Sequence, residues 1–333
     1  MRFNNNLKTN IHVLYRSMLS RMLGVHKAVS ASWSITARCN LKCGHCGVFF
    51  DDCYEMNTCE SLRIVELLSD IGVGWVFISG GEPLLRDDLS IIIQALKSRN
   101  VRVGLSTNGL LLSERIHSLK NLDKVYFSFD GPEKFHDSLR GKGAYESLMK
   151  SIEAAKKYNI KMHLTCVLLK DNLEHIDFIL DKAEELRLPL SVQPGRLNRL
   201  GADKKNNYAP IVEDYKKTID YLIKRKKSGY KWLFNTISGL RHLRSWPHSV
   251  CLPCVAGKLH FYITPSGHMR SCRNYPIYEN NSQNEFCGII KSEYRKVKPA
   301  NCDKCWCGEI VEFNKAYNLE IPSVVTLLKG NIS

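Results

Sequence analysis

The chain has 333 residues, of which 44% are hydrophobic and 24% are charged. It is too long for one small domain, and it fits either a barrel-sized domain with an extension or two domains. No apolar run is long enough to cross a bilayer, and residues 1–10 are polar, unlike a secretory signal, so we expect a cytoplasmic protein. The formal net charge of +15 permits a nucleic acid, an anionic membrane or an acidic protein as partner and selects none of them.

Residues 11–24 have the pattern of an amphipathic helix. The apolar positions at helical spacing are Ile11, Leu14, Tyr15, Met18, Met22 and Leu23. Such a face packs against a protein core or lies on a membrane surface. We favour packing onto the protein, and we keep peripheral membrane association as the alternative.

Six β-rich runs alternate with helical patterns over the next part of the chain. The runs are 33–37, 75–79, 101–106, 125–129, 162–168 and 190–193. Asn57 and Glu60 resemble a capping box before one of the intervening helices. Six βα units predict an α/β fold with a parallel sheet, either doubly wound or curled into a partial barrel. Functional groups should then lie at the carboxyl ends of the strands.

The first cysteine group, CNLKCGHC, directly follows the first predicted strand and contains Cys39, Cys43 and Cys46. In a cytosolic chain such spacings are typical of metal binding rather than of disulfide bonds. Closely spaced thiolates suit structural zinc or an iron–sulfur cluster. Zinc needs four ligands, which Cys53 or Cys59 would complete. A three-cysteine iron–sulfur site leaves one iron open to another ligand.

Four further motifs follow in order at strand ends. They are SGGEP (79–83), STNG (106–109), SFDG (128–131) and, shortly afterwards, HDSLRG (136–141). Taken singly, TNG and FDG are ordinary turn sequences. Together with CxxxCxxC, whose last cysteine follows the aromatic ring of His45, they resemble the radical SAM family. The resemblance covers residues 31–200 and implies a partial (β/α)6 TIM-like barrel with a small cysteine-rich C-terminal extension.

The resemblance assigns a role to each motif. Cys39, Cys43 and Cys46 would hold a [4Fe–4S] cluster, whose fourth iron binds the amino and carboxylate groups of S-adenosylmethionine (SAM). The residues implied to contact SAM are His45 near adenine, Gly80, Gly81 and Glu82 at the amino group, Ser106, Asn108, Ser128 and Asp130 at the ribose and carboxylate, and Arg140 at the carboxylate.

The C-terminal part contains a second group of seven cysteines, and it resembles the SPASM/twitch extensions of radical SAM enzymes. That resemblance implies one auxiliary [4Fe–4S] cluster, with Cys251 and Cys307 as alternate ligands. The four ligands we expect are Cys254, Cys272, Cys302 and Cys305. Zinc bound by the same four thiolates remains the alternative. The implied division is an amphipathic segment at 1–30, a barrel at 31–228 and an auxiliary-cluster domain at 229–333.

The implied activity is reductive cleavage of SAM to a 5′-deoxyadenosyl radical, which abstracts hydrogen from a lipid, peptide or small-molecule substrate with redox help from the auxiliary cluster. A flavodoxin or ferredoxin is the expected reductant, and its acidic surface would suit the basic chain. Thr165, Gln193 and Arg196 lie at later strand ends and are expected to face the substrate. No general base is assigned.

Two alternatives stay open. A radical SAM enzyme acting on tRNA is supported only by the basic charge, because the interleaved aromatic and basic residues of an RNA platform are not evident. Nucleic acid is therefore not the favoured partner. A non-catalytic zinc or iron–sulfur scaffold would leave the ordered strand-end motifs unexplained.

Overall fold

A single open sheet of eight strands, in the order β6-β5-β4-β3-β2-β1-β7-β8, organises the protein. The computed structural model describes residues 15–20, 22–23, 28–47, 54–198, 205–248, 250, 252–273 and 305–332. The strands are β1 (Ser30–Thr36), β2 (Trp75–Gly80), β3 (Arg102–Thr107), β4 (Lys124–Ser128), β5 (Lys161–Leu168), β6 (Leu190–Pro194), β7 (His260–Ile263) and β8 (Met269–Arg270). All neighbouring pairs are parallel except β7 and β8.

Helices connect successive parallel strands, as the βα pattern predicts. The connecting helices are α1 (Thr58–Asp70), α2 (Leu89–Ser98), α3 (Leu112–Arg115), α4 (Glu133–Arg140), α5 (Ala144–Lys157), α6 (Ile176–Leu186), α7 (Val212–Lys227) and α8 (Ile237–Leu243). Two further helices, α9 (Gly308–Tyr317) and α10 (Ile321–Ile332), follow the last strand. Short 3-10 helices lie at Pro83–Leu85, Ile116–Leu119 and Leu173–His175. The α/β fold with a partial, unclosed barrel is confirmed.

Local sequence explains where α1 begins and which face it buries. Asn57 Oδ1 accepts a hydrogen bond from Glu60 N, and Glu60 Oε2 accepts one from Asn57 N, so the predicted capping box is confirmed. Ile64 and Leu68 lie on the buried face of the helix, at a spacing that matches its turn. The core therefore lies between the sheet and its connecting helices.

The C-terminal part extends the same sheet at one edge and contacts it at the other. The hairpin of β7 and β8 pairs with β1, so that Trp33 stands opposite Ile263. At the other edge, Gly308 N at the start of α9 donates a 3.3 Å hydrogen bond to Gln193 Oε1 of β6. A Cβ atom at Gly308 would approach the Val192 carbonyl oxygen to 2.5 Å, so glycine permits this close contact.

The N-terminal helical segment corrects one prediction. Its contact with the protein is polar: Arg16 donates a 2.7 Å hydrogen bond to the Ile71 carbonyl, and Ser20 is buried. The apolar face that we expected to pack onto the protein is instead exposed, by 60–69% at Tyr15, Met18, Met22 and Leu23. Ile11 and Leu14 lie outside the described residues.

Within the described ranges, none of the helices combines the length and apolar character needed to cross a membrane.

Candidate functional site

The three cysteines of the first group share one loop after β1. Cys43 is buried, Cys39 and Cys46 are half-buried, and Cys46 N donates a 3.1 Å hydrogen bond to the Cys43 carbonyl. Burial raises the pKa of the Cys39 thiol to about 11, and negative charge on Cys43 or Cys46 would raise it further. The three thiols therefore share one loop and interact electrostatically with one another.

Two glycines let the end of β2 approach this loop. Gly80 has a φ of +146°, and a Cβ atom there would overlap the Thr36 carbonyl oxygen. A Cβ atom at Gly81 would overlap the Arg38 carbonyl oxygen, one residue before Cys39. In the structure the two glycines therefore serve backbone packing, which fixes where the cysteine loop begins.

Glu82 is a fully buried carboxylate at the same strand end. It accepts hydrogen bonds from Leu84 N at 3.1 Å, from Thr107 Oγ1 at 2.9 Å and from Asn108 N at 2.8 Å. Burial nevertheless raises its pKa to about 7, since the three hydrogen bonds only partly offset desolvation. A bound ammonium group nearby would stabilise the charged form of this carboxylate.

Asp130 and Arg140 form a buried ion pair between the end of β4 and the last turn of α4. Arg140 Nε lies 2.6 Å from Asp130 Oδ2, and their side chains are 7% and 0% exposed. Burial alone would raise the pKa of Asp130, but the adjacent guanidinium holds it below its ordinary value. Arg140 Nη1 also approaches Cys43 Sγ to 4.0 Å, so this pair adjoins the cysteine loop directly.

The remaining residues predicted to contact SAM lie along neighbouring strand ends. Asn108 Nδ2 donates a 2.8 Å hydrogen bond to Asn40 Oδ1 in the cysteine loop, and His45 interacts electrostatically with Asp130. Ser106 is exposed at the end of β3, and Ser128 is half-buried at the end of β4. The structure thus places these residues around one loop, although several of them already bond to one another.

The donor set of the first cysteine group is compatible with a [4Fe–4S] cluster. Within the part of the chain that the structure describes, no three His, Cys, Asp or Glu side chains converge on one metal-ion position. A [4Fe–4S] cluster does not require its ligands to converge on one metal-ion position, because each cysteine ligates a separate iron. Three thiols on one loop, with a buried guanidinium beside Cys43, suit an anionic thiolate cluster of this kind.

In the second cysteine group, one asparagine joins two of the expected ligands. Asn314 Nδ2 on α9 lies 3.9 Å from both Cys254 Sγ and Cys305 Sγ. Its Oδ1 accepts a 3.0 Å hydrogen bond from Val255 N, which fixes the orientation of the amide. These two cysteines are therefore brought together, whereas Cys251 and Cys302 lie outside the described residues.

Cys272 and Cys307 interact with each other and with Arg196, which follows β6. Burial raises the pKa of Cys307 to about 11, and charge on Cys272 contributes in the same direction. The Arg196 guanidinium interacts with Cys307, Cys272 and also Cys46 of the first group. Arg196 thus interacts electrostatically with cysteines of both groups.

The interior of the barrel holds a cavity of about 380 Å³. Two of the residues expected to face the substrate, Thr165 and Gln193, line it, and so does Cys307. Lys124 and Glu309 also line the cavity and interact electrostatically: burial lowers the pKa of Lys124 and raises that of Glu309, and each charge opposes the shift of the other. His163 Nε2 lies 3.7 Å from Glu309 Oε1 and 2.6 Å from Ser191 Oγ.

Sequence reasoning missed three neighbours of these sites. Asn40 and Asn314 are polar residues without a motif, and only the folded chain brings them beside Asn108 and the second cysteine group. The Tyr208 ring packs against the cysteine loop so closely that a Cβ atom at Gly44 would overlap it. Glycine between two cysteines was the one available signal for such a close approach.

Comparison with known proteins gives an independent view of the chain. The family model described as Radical SAM superfamily matches residues 33–183. The chain is 30% identical over 209 residues to the Fe-coproporphyrin III synthase of Methanosarcina barkeri, covering 59% of this chain and 51% of that protein. It is 31% identical over 205 residues to a probable GTP 3′,8-cyclase of Methanococcus maripaludis, covering 58% and 68%.

The fold is also similar to that of Streptococcus suis SuiB in its crystal structure with bound S-adenosylmethionine. The TM-score is 0.63 at 17% identity, and the match covers 84% of this chain and 69% of SuiB. The chain spans about half the length of the first curated relatives that it matches.

Proposed function

The chain belongs to the radical SAM superfamily, whose enzymes use a [4Fe–4S] cluster and SAM, and we propose that it removes hydrogen from a lipid, peptide or small-molecule substrate. The observation that carries the proposal is the convergence of the three-thiol loop, buried Glu82 and the Asp130–Arg140 pair at adjacent strand ends. When bound, the cluster and SAM supply the reductive cleavage that initiates hydrogen abstraction. The residues of the chain bind and orient these groups.

Each of these residues has a distinct task. Cys39, Cys43 and Cys46 would ligate the cluster, and Glu82 would accept hydrogen bonds from the SAM amino group. Arg140 holds positive charge beside Cys43 and is kept in place by Asp130. Because these groups are largely buried, the site excludes bulk water from the reacting atoms.

The second cysteine group would hold an auxiliary cluster that accepts an electron from the substrate. The shared contact of Asn314 with Cys254 and Cys305 supports this assignment, as do the mutual interactions of Cys272 and Cys307. The electrostatic interaction of Arg196 with cysteines of both groups supports a substrate position between them. A flavodoxin or ferredoxin would supply the reducing electron, attracted by the basic surface.

Peripheral membrane contact is a further part of the proposal. It is supported by the exposed apolar face of the N-terminal segment and by the net charge of +15, which favours anionic lipids. Met18→Ser should reduce sedimentation with phosphatidylglycerol-containing vesicles. Ile91→Ser, at an exposed apolar residue of α2, is the control and should leave sedimentation unchanged.

Anaerobic reconstitution tests the core of the proposal. The dithionite-reduced protein should convert SAM to 5′-deoxyadenosine and contain about eight irons per chain, against about four if the second group binds zinc. Cys43→Ala should abolish both the first cluster and SAM cleavage. Cys59→Ala, at an exposed cysteine on α1, is the matched control and should retain both. A reduced, iron-loaded protein that leaves SAM intact would refute the proposal.

The same assay separates the roles of the two cysteine groups. Replacing Cys254 and Cys305 by Ala should remove about four irons and spare SAM cleavage. Complete loss of SAM cleavage in that variant, with the first cluster still present, would show that our division of roles is wrong.

A further inference from the structure

The interior of this partial barrel is hollow. In closed (β/α) barrels, layers of inward-facing side chains fill the interior. Here a cavity of about 380 Å³ runs from Trp75 and Arg102, at the amino ends of β2 and β3, to Ser79 and Ser106 at their carboxyl ends. That volume lies within the usual range of small-molecule sites.

Small inward-facing residues leave this space. Ser30 and Ser32 on β1 and Ser191 on β6 all line the cavity with short side chains. Gly104 of β3 lies where aromatic rings meet, since a Cβ atom there would lie 3.1 Å from the Tyr126 ring and 3.5 Å from that of Phe77. The wall is therefore largely apolar and aromatic, with hydroxyl groups at intervals.

Some buried polar atoms of residues that line this cavity have no hydrogen-bond partner among the described residues. Trp75 Nε1, His163 Nδ1 and Glu309 Oε1 are such atoms. Trp75 is 8% exposed and His163 is fully buried. A buried polar atom left unpaired is costly, and such atoms in a native protein call for a partner. Because an indole N–H donates and a carboxylate oxygen accepts, a partner must offer both an acceptor and a donor.

The cationic groups of the cavity already have partners within the protein. Arg102 Nε lies 4.0 Å from Asp123 Oδ1, and Lys124 Nζ lies 5.2 Å from the centroid of the Tyr126 ring. Arg102 also stacks on the Trp75 ring, with Cζ 4.3 Å from the ring centroid. A charged ligand would disturb these contacts of the cationic side chains. Hydroxyl groups, in contrast, can donate to Glu309 and accept from Trp75 without adding charge.

We propose that the substrate bound in this cavity is a neutral, largely apolar molecule carrying hydroxyl groups. This assignment of substrate class rests on the proposed function. The carboxyl end of the cavity, at Ser106 and Thr165, adjoins the strand ends that carry Asn108 and Asp130. One end of a bound molecule thus lies toward the site of hydrogen abstraction, while the aromatic wall and the unpaired polar atoms hold the other.

Equilibrium dialysis with three naphthalene probes tests the ligand class. 2-Naphthol is neutral and hydroxylated, naphthalene lacks the hydroxyl group, and 2-naphthoate carries a negative charge. The reconstituted full chain should bind 2-naphthol about fivefold or more tightly than naphthalene, as one hydrogen bond predicts, and should bind 2-naphthoate most weakly. Equal binding of 2-naphthol and naphthalene, or tighter binding of 2-naphthoate, would overturn the proposal.

A pair of matched tryptophan variants locates the site. Trp75→Phe removes the indole donor and keeps the aromatic wall, so it should weaken 2-naphthol binding about fivefold and leave naphthalene binding unchanged. Trp33→Phe is the control, because Trp33 is also buried with an unpartnered Nε1 but does not line the cavity. An equal effect of the two substitutions would contradict the assignment.

A third variant tests the cavity by filling it, with SAM cleavage as the check that the protein is folded. Probe binding tests the ligand class, and SAM cleavage tests the proposed function on which the ligand class rests. Ser32→Leu, which fills the cavity, should abolish binding of both neutral probes while the protein still converts SAM to 5′-deoxyadenosine. Retained probe binding would refute the cavity as the site. Probe binding in a protein that does not cleave SAM would instead refute the proposed function alone.

Discussion

Arg140 Nε donates a 2.6 Å hydrogen bond to Asp130 Oδ2, and Nη1 of the same guanidinium lies 4.0 Å from Cys43 Sγ. The helix α4 and the strand β4 thereby deliver one positive charge to the cysteine loop. This pair is nearly inaccessible to solvent, so loss of either partner would leave the other charge buried and uncompensated.

Asp130→Asn should therefore destabilise the protein strongly. It leaves the buried Arg140 charge uncompensated, at a cost of about 3–5 kcal/mol in the free energy of unfolding. Urea denaturation of the apoprotein measures this. Asp220→Asn removes the partner of Arg244 in a pair whose side chains are 52% and 45% exposed, and it should cost at most about 1 kcal/mol. Similar costs for the two variants would show that the buried pair has no special role.

Glu82 predicts a specific dependence of stability on pH in the apoprotein. Burial raises its pKa to about 7 from an ordinary 4.5, so the folded chain binds more protons than the unfolded chain between these values. Its contribution to stability is thus fully present below pH 4.5 and is lost as pH rises to about 7. The loss amounts to about 3 kcal/mol.

Comparison with Glu82→Gln isolates this effect. The variant should lack this part of the pH dependence, so the difference in unfolding free energy between the two proteins should change over this interval. Urea denaturation at a series of pH values measures it. A constant difference between pH 4.5 and 7 would mean that Glu82 is charged throughout.

Gly81→Ala should displace the cysteine loop, because the new Cβ atom would overlap the Arg38 carbonyl oxygen. We expect loss of about four irons per reconstituted chain. Gly143→Ala is the control: its φ of +79° strains any other residue, but a Cβ atom there meets nothing within 4 Å. That variant should lose about 1 kcal/mol of stability and keep its iron. Full iron content in Gly81→Ala would show that the loop tolerates the displacement.

Asn314→Asp should make the reduction potential of the auxiliary cluster more negative. It removes the N–H donor near Cys254 and Cys305 and adds a negative charge, while its oxygen still accepts from Val255 N. The expected shift is on the order of tens of millivolts, measured by potentiometric titration with electron paramagnetic resonance. Asn318→Asp adds the same charge one turn away and should shift the potential much less. Equal shifts would mean that the hydrogen bonds contribute nothing.

The strands and the strand-end motifs could be predicted because both depend on local patterns. Alternation of apolar residues marks a strand, and in a parallel sheet the carboxyl ends of the strands share one edge. CNLKCGHC and SGGEP are therefore predicted to lie at the same edge of the sheet. The pairing of Asp130 with Arg140 was not predicted, because it depends on the angle at which α4 returns to the sheet.

The rest of the site escaped prediction for related reasons. The apolar residues of the N-terminal segment are exposed, yet they have the same helical spacing as residues that pack against a core. The sequence pattern therefore does not show whether Met18 contacts protein or solvent. The cavity arises from serines and a glycine on several strands, and each of them alone is compatible with a packed barrel. Asn314 lies in no motif, and its partners are distant in sequence.

The single helix α9 places Glu309 at the cavity and Asn314 at the second cysteine group, and its first residue, Gly308, touches β6. Because α9 makes these contacts, the wall of the cavity is complete only when this helix is docked. The six barrel strands are synthesised first, but the chamber has no complete wall until the last tenth of the chain folds onto them. Loading of iron into the second cysteine group would favour that docking. An immature enzyme lacking this iron would thus have an open, unfinished chamber, and the capacity to enclose a substrate would arise only at the end of maturation.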